Sequence, residues 1–361
     1  MGEKTKIEWT DATWNPLRGC SRVSEGCRHC YAELLAARFS KAGAWGHGFA
    51  EMTKHGPRWT GRVELLPSRL DLPLRWSEPR RIFVSSTSDV FHESLPDEAI
   101  DRIFTTMALA HQHTFQILTK RPERMRQYLE RLTASTRELG YENWPRRLEA
   151  QMNGLVDIIG AKRVQQICET PDVNSEWPLP NVWLGVSVED QASADARIPL
   201  LLSTPAAKRF VSYEPALGPV RFTHLYVRDE CELDAVRGTE AATVQHLAVP
   251  PRKVYAPLDW IIVGGESGPG ARPFDVAWAR STIAQCKAAG VACFVKQLGA
   301  SPCDSNVNCS DWGEEIEFDG PPRGVDGAAA ASVRLRDRKG GRVDEWPDDL
   351  RVREFPPGAS T

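Results

Sequence analysis

The chain lacks any apolar run of the ~18–20 residues that a membrane span needs. Its first residues, Met1-Gly-Glu-Lys-Thr-Lys-Ile7, lack the apolar stretch of a secretory signal. It also lacks an excess of one charge: 45 Lys and Arg stand against 48 Asp and Glu in 361 residues, a formal net charge of −3. A protein held on nucleic acid by bulk positive charge is thereby excluded, although a local basic cleft is not. No solenoid-type repeat runs through it. What is present is ordinary globular composition, 41% apolar and 26% charged, in a length that a single α/β barrel can absorb. The expectation is a cytoplasmic, non-membrane enzyme or binding protein.

Short β-branched or aromatic runs recur, most of them followed by amphipathic, helix-like segments. The pattern predicts strands at Arg81–Ser85, Thr114–Leu118, Asn181–Val186, Lys208–Ser212, Leu258–Val263 and Val291–Val295, with an earlier one inside Ile7–Trp14. It predicts helices over Asp97–Ala110, opened by Pro96-Asp97-Glu98, and over Arg124–Leu132, Gln191–Leu202 and Val276–Ala289. This alternation implies a parallel sheet with helical crossovers. The expected fold is a partial or full (β/α) TIM-like barrel over residues 1–300. Insertions at about 134–180, partly helical over Leu148–Cys168, and at 223–257, polar and irregular, interrupt it. A Gly-, Asp- and Ala-rich appendage follows over 301–361.

Polar residues follow each predicted strand: Ser85 to Asp89, Thr119-Lys120-Arg121, Ser187 and Glu189, Ser212-Tyr-Glu214, Gly264-Gly265-Glu266, and Lys296-Gln297. In a parallel barrel these strand ends share one mouth, where ligands bind. A single instance reads as nothing more than a strand end; six in succession suggest a pocket for a small ligand with several polar groups. Gly264-Gly-Glu-Ser-Gly-Pro-Gly is either a tight turn or a backbone cradle for a ligand, and it is not a Walker A loop or a dinucleotide fingerprint. Lys120-Arg121, just before Pro122, is either a solvated basic pair or a clamp for an anionic part of a substrate.

Nine cysteines are present, and three crowd one loop, Gly19-Cys20-Ser-Arg-Val-Ser-Glu-Gly-Cys27-Arg-His-Cys30. Cys27-x-x-Cys30 brings two thiolates within reach of one metal centre, and the glycine-flanked loop can fold Cys20 back to join them. Three thiolates are one short of a closed zinc or Cys₄ cluster site. A [4Fe–4S] cluster with three protein ligands keeps one iron free for another ligand. Zinc would need a fourth donor, such as His47 or His55, and neither sits at a convincing spacing. In that second reading the chain is a zinc-stabilised nucleic-acid-binding or interaction module without redox chemistry. Trp9, Trp14, Trp45 and Trp59 would stack bases beside Arg18, Arg22, Arg28, Arg38 and Lys41. Core tryptophans and a solvated basic face are the plainer account.

The cysteine loop resembles that of the radical S-adenosylmethionine (SAM) superfamily, although six residues separate Cys20 from Cys27 where that superfamily usually has three. The chain more closely resembles the phage-associated three-Cys-motif family grouped with it. That resemblance rests on Trp14-Asn-Pro16, Gly19-Cys20 through Cys30-Tyr-Ala32, Phe83 to Glu93, Leu118-Thr-Lys-Arg-Pro122 and Gly185-Val-Ser-Val-Glu189. It continues through Ser212-Tyr-Glu-Pro215, Ile262 to Gly268, Phe294-Val-Lys-Gln297 and Trp346 to Phe355. The resemblance implies a barrel-mouth [4Fe–4S] cluster on Cys20, Cys27 and Cys30, with SAM as second cofactor. It further implies reductive SAM cleavage and hydrogen abstraction from a small-molecule, nucleotide or nucleic-acid substrate, and an external electron donor such as flavodoxin or ferredoxin. The expected SAM contacts are Ser86, Asp89, Glu189, Glu214, Gly264, Gly265 and Glu266, and the expected substrate contacts are Lys120 and Arg121.

Overall fold

The computed structural model describes residues 5–137, 177–228, 231–244, 247–248, 252–305, 317–319 and 331–358, with single positions 148, 160, 162, 165 and 312. Most of the expected insertion at 134–180, including the helical reading of Leu148–Cys168, lies outside the described residues.

Seven strands form one parallel sheet curled into a half-barrel: β1 (Ala12–Trp14), β2 (Arg81–Val84), β3 (Thr114–Thr119), β4 (Val182–Val188), β5 (Lys208–Tyr213), β6 (Trp260–Gly264) and β7 (Ala292–Gln297). Spatial order equals chain order, with no reversal. A doubly wound sheet would reverse at a switch point, so this is the partial-barrel architecture. The strand sequences explain themselves: β4 and β6 are buried at every position, as near-continuous apolar runs in a parallel sheet require.

The chain divides into two compact units. One comprises residues 1–185, 203–208 and 358–361; the other comprises 186–202 and 209–357. The first holds β1 to β3, the cysteine loop, α1 (Tyr31–Arg38), α2 (Asp97–Leu109) and α3 (Pro122–Arg137). Pro96 and the acidic pair Asp97-Glu98 open α2, where the helix dipole favours negative charge. Ile100, Ile103, Phe104 and Met107 then line one buried face at helical spacing. Phe91, Phe104 and Tyr128 pack as an aromatic cluster, and Tyr128 donates to Asp101 at 2.7 Å, locking α3 onto α2.

The second unit holds β5 to β7, α4 (Gln191–Ser203) and α5 (Val276–Ala289). Asp275 caps α5 by accepting from the Ala277 N–H, and Gly290 ends it in the left-handed conformation. Two stretches are more ordered than the sequence suggests. Within 223–257, strands at Leu225–Arg228, Cys231–Asp234, Thr239–Val244, Leu247–Ala248 and Arg252–Lys253 form an antiparallel sheet. Its inward positions are marked by alternation, with Cys231 and Leu233 buried and Glu232 exposed. After residue 300, Pro302–Asp304, Ala331–Arg334 and Glu317–Asp319 join Phe274–Asp275 in a four-stranded sheet. Val352 and Glu354 bond β7 directly, and Trp346 is buried. No described helix is long and apolar enough to cross a membrane.

Candidate functional site: a braced three-thiol loop and paired strand-end carboxylates

The cysteine loop begins at Gly19, whose φ of +86° suits only glycine; a Cβ there would lie 1.9 Å from the Arg62 carbonyl oxygen. Cys27 ends a short 3₁₀ turn, Glu25–Cys27, and Cys30 is the N-cap of α1. All three cysteines are half-buried and outside any disulfide. Burial pushes the Cys20 thiol up to about 12, and the neighbouring Asp89 charge adds to this while Arg121 opposes it. Burial also raises Cys30, against the pull of the Ala32 and Glu33 N–H groups at the start of α1. The thiols sense one another in sequence, Cys20 with Cys30 and Cys30 with Cys27.

Two ion pairs hold the loop, Arg121–Asp89 buried and Arg22–Glu33 with its carboxylate buried and its guanidinium partly open to solvent. On one side Arg22 grips Glu33, which is wholly buried in α1, through Nε at 3.0 and 2.9 Å, and Glu33 also accepts from the Trp59 N–H at 2.9 Å. On the other, Arg121 donates from Nη2 to the Ser21 hydroxyl at 2.7 Å, from Nη1 to Asp89 at 3.1 Å and from Nε to Glu93 at 2.8 Å. His92 completes this side. Its Nδ1 accepts from the Ser94 N–H, which leaves Nε2 to donate to the Ser21 hydroxyl at 2.8 Å. Burial, and then Arg121, lower the His92 pKa, so the ring stays neutral. Burial works against the Glu93 charge, but the Arg121 guanidinium holds its carboxyl below the usual range.

Asp89 is saturated. It accepts from Thr119 Oγ1 at 2.7 and 2.9 Å, from the Phe91 and Lys120 N–H groups, and from Arg121. The half-buried Lys120 thus contributes its backbone to this knot, and the expected anion clamp Arg121 spends its guanidinium on two carboxylates and the cysteine loop.

The turn after β2 is different. Ser86 bonds Asn15 at 3.1 Å, and the Tyr31 hydroxyl donates to the Ser86 carbonyl. Ser85 has φ +58°, a strained conformation for a residue with a side chain. The hydroxyls of Ser85, Thr87 and Ser88 are buried and have no hydrogen-bond partner among the described residues. Buried polar atoms are normally satisfied, so three orphans in one turn call for a ligand or ordered water.

In the second unit each expected carboxylate has its own cation. Glu189 pairs with Arg197 of α4 at 3.1 Å, Glu214 with Lys296 at 2.5 Å, and Glu266 with Arg272 at 2.7 Å. Glu189 and Glu266 are buried, and Glu214 is the most accessible of the three. The Gly265 N–H bonds the Gln297 carbonyl at 3.0 Å, and a Cβ on Gly265 would lie 2.5 Å from the Leu298 carbonyl oxygen. The close approach that these glycines permit is to the chain leaving β7. Trp9 and Trp14 are core residues, while Trp45 and Trp59 pack on Ala36, Ala37 and Ala50.

Sequence reasoning did not find Ser21, Arg22, Glu33, His92 or Glu93 as bracing residues. Only the placement of Ser21 and Arg22 directly after Cys20 hinted at them. The donor chemistry of Cys20, Cys27 and Cys30 fits a thiolate-bound centre, although no three His, Cys, Asp or Glu side chains among the described residues are already grouped to hold a metal ion. A centre there requires the raised thiols to lose their protons and draw together, as metal binding ordinarily does.

A family model described as protein of unknown function (DUF5131) matches residues 4–342, and the chain belongs to that family. No curated protein and no solved structure matches it.

Proposed function

We propose that this DUF5131 chain is a cytoplasmic radical SAM-type enzyme, with Cys20, Cys27 and Cys30 holding a [4Fe–4S] cluster and SAM as second cofactor. When bound, these groups supply one-electron chemistry that activates a substrate C–H bond. The observation that carries the reading is the bracing of the cysteine loop, through Arg22–Glu33 on one side and Ser21–Arg121–Asp89 on the other. Buried ion pairs are costly to build and act mainly to fix geometry. Here they fix the two residues that follow Cys20 and leave the three cysteines outside any disulfide. A merely structural loop needs no such arrangement.

The chain's own residues then divide the work. Arg22 and Arg121 hold the loop against α1 and β3. The unpartnered hydroxyls of Ser85, Thr87 and Ser88 offer donors and acceptors to the polar groups of SAM. Ser86 and the strand-end carboxylates Asp89, Glu189, Glu214 and Glu266 are the further candidate contacts, with Glu214 the most open of the three second-unit carboxylates to an incoming ammonium. The turn Gly264-Gly265 shapes the exit of β6. Lys120 remains a candidate for an anionic substrate group, and Arg121 reaches substrate only if it leaves Asp89 and Glu93. An external donor such as flavodoxin or ferredoxin supplies the electron.

Anaerobic reconstitution with iron and sulfide, followed by SAM and dithionite, tests the reading. Deoxyadenosine formation in wild type and its loss in Cys27→Ala are expected. Absence of deoxyadenosine together with no SAM binding at millimolar concentration overturns the cofactor assignment. A colourless protein that retains stoichiometric zinc replaces this reading with the zinc-module one.

A further inference from the structure

The segment from Arg18 to Arg62 contains eight Lys or Arg and only three Asp or Glu, a net charge of +5 in a chain whose total is −3. The remaining residues therefore carry −8. Two of the three acids do not offset the exposed cations individually: Glu33 is buried against Arg22, and Glu25 already faces Arg28 at 3.5 Å. Arg38, Lys41, Lys54 and Arg58 have no carboxylate partner among the described residues, and only exposed Glu51 stands opposite Arg58 across the hairpin.

Aromatic rings stand among these cations. Tyr31 and Phe39 are 57% and 54% exposed. Tyr31 and Arg38 are seven residues apart on α1 and so share its outer face, because the inner face is taken by Ala32, Glu33, Ala36 and Ala37. The hairpin of Ala50–Thr53 and Gly56–Trp59 packs on α1 through Ala36, Ala37 and Ala50, which leaves Lys54 exposed at its turn.

We propose that this outer face of the cysteine loop, α1 and the hairpin binds single-stranded nucleic acid. Unpaired cations would follow the phosphates, while Tyr31 and Phe39 would offer π-faces to bases. Such stacking tolerates any base sequence. An acidic protein partner fits less well, because lysines such as Lys41 and Lys54 are depleted at protein–protein interfaces. Tyr31 directly follows Cys30 and bonds the turn after β2, so a strand bound here borders the three-thiol loop. The proposal deepens the enzymatic reading by naming its substrate class, but it rests on surface charge and can be tested on the cluster-free chain.

The experiment is fluorescence anisotropy of the full chain, without iron, against a labelled oligothymidine of roughly 12 nucleotides, a length within the range such sites cover. Affinity should fall steeply with salt. The triple change Arg38→Ala, Lys41→Ala, Lys54→Ala should weaken binding and flatten the log K against log salt slope by about 2, the value for three lost single-strand phosphate contacts. Phe39→Ala should weaken binding by roughly ten-fold and leave the slope unchanged. Lys253→Ala, at an exposed lysine of the other unit, should change neither. Two outcomes overturn the proposal: an unchanged slope in the folded triple variant, or displacement of the oligonucleotide by polyglutamate as readily as by unlabelled oligothymidine. Either leaves the deoxyadenosine test untouched, so failure of the surface and failure of the enzymatic reading are distinguishable.

Discussion

The two units use the same chemistry at their strand ends for different ends. In the second, Glu189 meets Arg197, Glu266 meets Arg272 and Glu214 meets Lys296, each carboxylate matched to one cation within the unit. In the first, Asp89 meets Arg121, but Arg121 goes on to Glu93 and to Ser21 beside Cys20. The second arrangement is closed. The first carries its ion pair outward to a loop of three cysteines outside any disulfide and stands in the same unit as three buried hydroxyls left unsatisfied. A parallel sheet therefore does not by itself say where a ligand binds; the unfinished polar accounting does.

The sharpest way to break this comparison is to remove the two buried cations in turn. Arg121→Ala and Arg197→Ala each strand a buried carboxylate and should each cost about 3–5 kcal/mol in urea unfolding. Their other effects should part company: Arg121→Ala should lose iron on reconstitution, and Arg197→Ala, among molecules still folded, should keep it. Equal iron in both variants would mean that Arg121 serves stability alone.

Next in size are the glycines. Gly19→Ala and Gly265→Ala both drive a Cβ into a backbone carbonyl and should destabilise by about 2–4 kcal/mol. Limited proteolysis should open the cysteine loop in the first variant and leave it protected in the second.

Acid should weaken the first unit through His92 and His113, whose pKa values burial lowers. The unfolded chain takes up protons at these rings as the pH falls through about 6.5, while the folded chain resists. Stability is therefore full above that pH and declines as pH drops toward the folded values. His92 is faced by Arg121, Glu93 and Asp89. In His92→Gln the loss of stability between pH 7.5 and 5.5, read from urea midpoints, should be smaller than in wild type; an equal loss would remove His92 from the account.

The smallest effect belongs to Glu214–Lys296, a pair that is partly open to solvent. Lys296→Ala should cost no more than about 1 kcal/mol, and a larger loss would show that this pair is as structural as the buried ones.

Much of the sheet was legible in the sequence for a physical reason. Runs such as Trp260-Ile-Ile-Val and Arg81-Ile-Phe-Val are short, apolar and bounded by polar residues, so their strands lie within a residue or two of the expected limits. α5 begins and ends as expected because Asp275 and Gly290 supply a cap at each end. The buried face of α2 follows from the spacing of Ile100, Ile103, Phe104 and Met107. The strands after residue 300 were not, because segments such as Pro302-Cys-Asp gain their order from distant partners at Phe274 and Ala331. The polar rim was legible as residue types only. Sequence places Asp89 and Arg121 at separate strand ends 32 residues apart, and nothing local says that one neutralises the other. The same blindness hid Arg22–Glu33 and the link from Arg121 to Ser21, 100 residues away.

The central claim is that Cys20, Cys27 and Cys30 act together as the ligands of one centre. It is tested most directly by iron and sulfide content after anaerobic reconstitution of wild type, the three single Cys→Ala variants, and Cys286→Ala and Cys303→Ala as buried controls. The account predicts about four iron atoms per chain in wild type and both controls, and loss of most iron from each of the three loop variants. Full iron retention in Cys20→Ala would contradict it, because Cys20 is what separates this loop from a bare Cys-x-x-Cys pair.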